Sequence, residues 1–156
     1  MNKTPCKVLV VDDERANADS TVRLLRVWAH EAEAAYSAED AISKAIAFDP
    51  DVVLIDIGMP VMNGFDLVKE LRQYCPGAKF VALTGYPPEE IVRRADDAGF
   101  ARILTKPAFD LEQAVGTECA AAPIERELSG PKALVCVERP SEHIDEEPTS
   151  TNASSQ

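Results

Sequence analysis

The stretch DVVLID, Asp51 to Asp56, sets four consecutive apolar residues between two carboxylates. Branched side chains favour a strand, and an unbroken apolar run is what a strand buried on both faces requires, since an edge or half-solvated strand would alternate. The same design recurs along the chain. KVLVV, Lys7 to Val11, stops at Asp12 and Asp13; FVAL, Phe80 to Leu83, stops at Thr84; ARIL, Ala101 to Leu104, precedes Thr105 and Lys106. Glu33 to Tyr36, mostly alanine, is a weaker member of the series.

Between these runs, apolar residues fall three and four apart, the spacing of a helix with one buried stripe. Ala18, Val22, Leu25 and Trp28 mark the first, with Trp28 expected to pack in or beside the core. Ala38, Ala41, Ile42 and Ala45 mark the second, with Ser37 placed to cap it and Asp49-Pro50 to end it. Leu67, Val68 and Leu71 mark a third, ended near Pro76-Gly77. A fourth is expected to start at Pro88, where a missing N–H costs nothing, to run through Ile91, Val92 and Ala95, and to close at Gly99. A fifth spans Phe109 to Val115. Strand and helix alternate five times, which implies βαβ units, a parallel sheet and helices on both faces. The expected fold is a doubly wound α/β domain over residues 5–118, its five strands in the flavodoxin-like order 2-1-3-4-5.

From about Gly116 the pattern fails. Residues 119–156 are rich in Pro, Ser, Thr and Glu, a composition expected to leave most of the segment unfolded. Ala133 to Val137 (ALVCV) is its one candidate strand. With 156 residues, one domain and a remainder fit better than two cores. The net charge of −11 works against binding a phosphate backbone, so nucleic acid is not an expected partner. No apolar run approaches the roughly 18 residues of a membrane span, and Met1 to Cys6 lacks the apolar core of a secretion signal, so the cytoplasm is the expected compartment. Cys6, Cys75, Cys119 and Cys136 lack any local metal or disulfide spacing and read as reduced thiols. His30 and His143 are isolated in sequence and suggest no ligand role; Arg93 and Arg94 read as a solvated helix face offset by Asp96 and Asp97.

In an open parallel sheet the functional crevice lies beyond the carboxyl ends of the strands. Asp12, Asp13, Asp56, Thr84 and Lys106 all finish strands, so three acids, a hydroxyl and an ammonium are expected at one edge. Taken alone, Asp12-Asp13 is a solvated turn with a helix cap, Thr84 a strand-end hydroxyl and Lys106 a surface charge. Their joint placement argues for a site. Crowded carboxylates repel by about 4 kcal/mol per pair at about 4 Å and an effective dielectric of about 20. An all-oxygen donor set that must offset such repulsion suits Mg²⁺, which binds through one or two carboxylates and shares a phosphate oxygen. The carboxylate left over can act as a nucleophile toward phosphorus, with the ammonium and hydroxyl stabilising the transferred group.

The order VLVVDDE (Val8 to Glu14), VVLIDIGMPVMNGFDL (Val52 to Leu67), ALTGY (Ala82 to Tyr86) and LTKP (Leu104 to Pro107) resembles the receiver domains of two-component response regulators. The resemblance implies that Asp56 is the phosphoacceptor and that Asp13, Asp56 and the Ile57 carbonyl ligate Mg²⁺, with Asp12 helping through water. It makes Thr84 the switch hydroxyl, Lys106 the phosphate partner and the bond before Pro107 cis. Met59-Pro60 and Asn63-Gly64 correspond to the loop after the acceptor, and Gly58 and Tyr86 to positions that tune phosphoryl lifetime. Ile103 departs from the family's frequent Tyr or Phe three residues before the lysine, so the route by which a signal reaches the fourth helix, fifth strand and fifth helix is open.

The implied function is a stand-alone switch. A sensor histidine kinase or phosphotransfer protein would phosphorylate Asp56, and a downstream target protein would read the change. It would not be an enzyme in the ordinary sense, but would catalyse its own phosphorylation and dephosphorylation. Three competitors are weighed. A phosphate relay or sink would use the same chemistry without a shape change. A Mg²⁺-dependent aspartyl-phosphate phosphatase would carry a second acid where Gly58 stands. A flavin-binding protein would have a Gly/Ser/Thr-rich loop in place of DDER at Asp12 to Arg15.

Overall fold

The computed structural model describes residues 5–59, 63–85 and 89–120. Pro60, Tyr86, Pro88, Cys136, His143 and the expected unfolded tail from residue 121 on, with its candidate strand at 133–137, lie outside the described residues, while Cys119 and Ala120, expected in that tail, belong to a helix. Five strands, β1 (Lys7–Val11), β2 (Glu31–Ala35), β3 (Val52–Asp56), β4 (Lys79–Thr84) and β5 (Arg102–Thr105), alternate with five helices. The helices are α1 (Arg15–Val27), α2 (Ala38–Phe48), α3 (Gly64–Tyr74), α4 (Glu89–Ala98) and α5 (Leu111–Ala120). All neighbouring strands pair in parallel, in the expected order β2-β1-β3-β4-β5.

The unbroken apolar runs have the reason anticipated for them. Successive side chains of a strand point to opposite faces, and both faces are covered. Leu9, Val11, Val53, Ile55, Phe80 and Ala82 pack with Ala41 and Ala45 of α2, Leu67, Val68 and Leu71 of α3, and Ala95 of α4. Val8, Val10, Val52, Leu54, Val81, Leu83 and Leu104 pack on the other face with Val22 and Leu25 of α1 and with Leu111, Ala114 and Val115 of α5. Trp28 packs beside this second cluster, as expected.

Local chemistry sets the helix ends. Ser37 Oγ accepts the Asp40 N–H at 3.1 Å, and Asp49 closes α2 in the left-handed conformation at φ 48°. Gly99, at φ +85°, closes α4 with its N–H donated to the Ala95 carbonyl, a conformation a side chain would resist.

Three elements depart from the sequence reading. β2 begins at Glu31, two residues before the expected start, because parallel pairing with β1 recruits Glu31 and Ala32 opposite Lys7 and Val8. Propensity alone undervalues an EAEAA strand, and pairing supplies what branching does not. α5 starts at Leu111 and continues through Gly116 to Ala120, past the expected end at Val115, and Phe109 precedes it with 90% of its surface exposed. Finally, Cys6 and Cys119 are joined by a disulfide, with their Cα atoms 6.0 Å apart, contrary to the expectation of reduced thiols. The pairing spans 113 residues, a separation that no local spacing rule detects. α5 returns along the sheet to the end where β1 starts. In the chain-entropy account, closing a loop of this size is worth roughly 4–5 kcal/mol. Cys75 keeps its thiol, which donates to the Leu71 carbonyl.

β2 forms one edge of the sheet. Along it, Arg26 Nη2 donates to the Ala32 carbonyl at 2.8 Å and Lys44 Nζ donates to the Ala34 carbonyl. No helix among the described residues is long and apolar enough to cross a membrane.

Leu54 is fully buried in the cluster between α1 and α5. Leu54→Ala is expected to lower the unfolding free energy in urea by about 2–5 kcal/mol, whereas Phe109→Ser should change it by less than about 0.5 kcal/mol.

Candidate functional site

Parallel pairing puts the carboxyl ends of β1, β3, β4 and β5 at one edge, and the register aligns them. Val11 lies opposite Ile55, Asp56 opposite Leu83, and Thr84 opposite Thr105. Asp12 and Asp13 therefore follow β1 beside the last residue of β3, Asp56. One oxygen from each of Asp12, Asp13 and Asp56 lies within 4.8 Å of the other two. Asp12 is only 3% exposed, Asp56 is half-buried and Asp13 is exposed.

Lys106 leaves the end of β5 and joins the acids. Its Nζ lies 3.1 Å from Asp12 Oδ2 and 3.0 Å from Asp56 Oδ2. Burial acts to lower the Lys106 pKa, but hydrogen bonds and Coulombic attraction to Asp56 and Asp12 outweigh it, and the net shift is upward from the ordinary lysine value. The ammonium is thus held charged. The backbone N–H of Lys106 donates to the Thr84 carbonyl at 2.7 Å, and the Lys106-Pro107 bond is cis, as the motif implied. Thr84, 5% exposed, ends β4 at this edge, and Ile57 follows Asp56 with its N–H donated to the Leu83 carbonyl at 3.0 Å. All six residues singled out in the sequence therefore occupy this edge.

The simpler reading of Asp12-Asp13 as a solvated, helix-capping turn holds only for the turn: Asp12 Oδ1 accepts the Glu14 N–H at 2.9 Å, but Asp12 is buried and Glu14, the residue at the N-cap of α1, makes no side-chain cap bond. One carboxylate thus serves both as a local turn acceptor and as a member of the acidic cluster. Asp56 is similarly divided, with Oδ1 accepting the Gly58 N–H at 2.9 Å and Oδ2 facing Lys106.

Gly64 bears on Asp56 in a way the sequence did not disclose. It opens α3 behind Asn63, whose side chain accepts the Phe65 N–H at 3.1 Å. A Cβ on Gly64 would come within 3.1 Å of Ile55 Cγ2 and within 3.2 Å of both the Asp56 carbonyl oxygen and Ile57 Cα. Glycine here lets α3 press against the backbone of Asp56 and Ile57. The available signal was a glycine just inside a helix start, where residues with side chains are the norm. Ile103, the departure noted above, is half-buried against the cluster that contains Ala95 and Phe100.

The donor set is all oxygen, which selects a hard cation. Six-coordinate Mg²⁺ with bonds of about 2.0–2.1 Å spaces its ligand oxygens by about 3–4 Å, a separation compatible with carboxylate oxygens that all lie within 4.8 Å of one another. The residues fit the metal that the sequence implied.

Comparison with known proteins agrees with this geometry. The family model for the response regulator receiver domain matches residues 8–115. A response regulator receiver protein of Anaeromyxobacter is 33% identical over 101 residues, covering 65% of this chain and 42% of that relative, so the chain spans less than half its length. The chemotaxis protein CheY of Halobacterium salinarum is 30% identical over 101 residues, covering 65% of this chain and 84% of CheY. Among solved structures, a CheY-like receiver domain from Methanospirillum hungatei superposes with a TM-score of 0.70 at 28% identity, covering 80% of this chain and 99% of that one.

Two outcomes are expected. Gly64→Ala should cost about 1–3 kcal/mol in urea unfolding by overpacking and should shift the backbone amide resonances of Asp56 and Ile57. The second concerns Lys106, whose pKa is raised on folding. Its contribution to stability is therefore fully present below the unfolded-state value of about 10.4 and is lost as pH climbs through the higher folded-state value. Urea midpoints followed from pH 7 to 11 should fall more steeply for the wild type than for Lys106→Met; parallel curves would exclude the ion pairs as the cause.

Proposed function

The chain belongs to the response regulator receiver family, and from that premise we propose that it accepts a phosphoryl group on Asp56 and passes the event on as a change in protein contacts. The observation that carries this reading is the convergence of Asp12, Asp13, Asp56 and Lys106, drawn from three strand ends, within hydrogen-bonding or ligand-sharing distance.

In the proposed reaction a carboxylate oxygen of Asp56 attacks phosphorus of a phosphorylated histidine on a sensor kinase or phosphotransfer protein. The bond from phosphorus to the donor nitrogen breaks, and the donor keeps that electron pair. Lys106, 3.0 Å from Asp56 Oδ2, exchanges part of its contact with the carboxylate for a phosphoryl oxygen. Thr84 offers its hydroxyl to another. Asp13, Asp56 and the Ile57 carbonyl would hold Mg²⁺, with Asp12 assisting; the ion supplies positive charge that offsets both the carboxylates and the incoming phosphoryl oxygens. Hydrolysis of the aspartyl phosphate by water, at the same residues, resets the protein. No separate substrate is turned over, so the chain acts on itself rather than as an enzyme.

The phosphoryl group adds about 1.5–2 negative charges at neutral pH, enough to bias a pre-existing balance between two conformations if one brings a hydroxyl such as that of Thr84 toward it. Target binding would read that balance. A second reading, relay of the phosphoryl group with little change of shape, is favoured by Ile103, which sits half-buried where an aromatic ring would otherwise swing.

Incubation with Mg²⁺ and acetyl phosphate is expected to add the mass of one phosphoryl group, and Asp56→Asn should abolish the gain. Without a donor, saturating Mg²⁺ at about 100 times its dissociation constant should stabilise the fold by about 2.7 kcal/mol, and Asp13→Asn should remove most of that effect. Failure of labelling together with an unchanged thermal midpoint in Mg²⁺ would overturn the proposal. Labelling with no change in affinity for a partner would favour the relay.

A further inference from the structure

A second cluster lies at the opposite end of the sheet from the acids and takes no part in the chemistry above. Cys6, just before β1, and Cys119, in the last turn of α5, share a disulfide, and His30, just before β2, stands beside them. His30 Nδ1 is 3.7 Å from Cys6 Sγ and 3.4 Å from the Cys6 backbone nitrogen. Cys6 and His30 are 7% and 4% exposed, while Cys119 is half-buried. We infer that Cys6, Cys119 and His30 form a thiol–disulfide exchange site at which low-molecular-weight thiols and disulfides release or pin the end of α5.

The asymmetry of burial assigns the roles. An incoming thiolate reaches the half-buried sulfur of Cys119, forms a mixed disulfide there, and expels Cys6 Sγ with the electron pair of the broken bond. A thiolate expelled into buried surroundings is a poor leaving group unless a neighbour stabilises it. His30 Nδ1 accepts the Cys6 N–H and lies 3.7 Å from Cys6 Sγ; on giving up that backbone bond it can take the proton released by the attacking thiol and pass it to the departing sulfur. A second small thiol, as its thiolate, then attacks the small-molecule sulfur of the mixed disulfide, forms the small-molecule disulfide and expels Cys119 Sγ, which takes up the proton that second thiol gave up. In sum, two small thiols become one disulfide and the protein gains two thiols. Reversal needs only an oxidised small-molecule disulfide. In thiol-rich compartments disulfides tend to be transient and regulatory rather than structural.

The consequence is local to α5. Leu111, Ala114 and Val115 anchor its first turns in the core. Gly116, inside the continuous helix, is a residue of poor helix propensity, and a Cβ there would meet nothing within 4 Å. Beyond Gly116, the anchors include the disulfide with Cys119 packed beside the core, the buried part of Glu118 and its ion pair with Arg102 at 3.6 Å, and the Thr117 hydroxyl donated to the Gln113 carbonyl within the helix itself. Opening the disulfide therefore loosens residues 117–120, from which the chain continues into residues 121–156, and leaves β1 and the first half of α5 in place.

The test equilibrates the full chain across ratios of reduced to oxidised glutathione, quenches with acid and alkylates the unfolded protein. The expected result is four alkylated cysteines under reducing ratios and two, Cys75 and Cys136, under oxidising ones, with a Cys6–Cys119 linked peptide in the digest. Hydrogen exchange of residues 117–120 should accelerate by about tenfold or more on reduction, with β1 and β3 unchanged. His30→Gln should slow reduction several-fold, whereas Asp56→Asn should leave its rate unaltered. The inference is overturned if Cys6 and Cys119 alkylate at every ratio, if the linked peptide contains Cys136, or if exchange at the end of α5 ignores the redox state. An unchanged reduction rate in His30→Gln would remove the histidine from the site. Should that variant fail to fold, the thiol count and exchange of the wild type still decide the linkage.

Discussion

Like charges resist being gathered, and the candidate site exists because the sheet gathers them anyway. Asp12, Asp13 and Asp56 are brought together by backbone pairing between β1 and β3, whose hydrogen bonds and buried valines fix the spacing without regard to charge. Lys106 offsets part of the repulsion from across the sheet. The cost falls on the fold and the benefit on the chemistry, because a site short of positive charge is ready for a divalent ion and for a reaction that such an ion assists.

The same logic explains why the site could be read from the chain before its geometry was known. In a parallel sheet every strand ends at the edge where the crevice forms, so the residue that terminates each apolar run is already located. Asp56 and Thr84 close β3 and β4, Asp12 and Asp13 follow β1, and Lys106 follows β5. Buried strands announce themselves by unbroken branched runs, and Ser37 announces its helix by its capping oxygen. What stayed hidden depends on partners distant in sequence. β2 takes its start from β1 rather than from its own alanines. Gly64 is required by an approach to Asp56 that no one-dimensional pattern encodes. Cys6 and Cys119 meet only because α5 travels back along the sheet, a fact of topology and not of spacing.

The two ends of the domain thus carry different chemistries. At the carboxyl end of the strands, hard oxygen ligands and an ammonium suit phosphoryl groups and divalent ions; at the amino end, sulfur and imidazole suit electron-pair exchange. β1 runs between them, following Cys6 and leading into Asp12, with Val8 to Val11 almost wholly excluded from solvent. Because that strand is packed on both sides, neither site requires the other for its local geometry.

The open side of β2 bears on how the protein behaves when crowded. In its register with β1, Glu31 donates its N–H to the Cys6 carbonyl and the Ala35 carbonyl accepts the Asp12 N–H, so the carbonyls of Ala32 and Ala34 face outward, where another chain could add a strand. Arg26 and Lys44 occupy those two acceptors. Two cationic side chains from flanking helices thereby serve as a guard against edge-to-edge polymerisation, and a lineage that replaced both would gain a sticky seam without altering a single core residue.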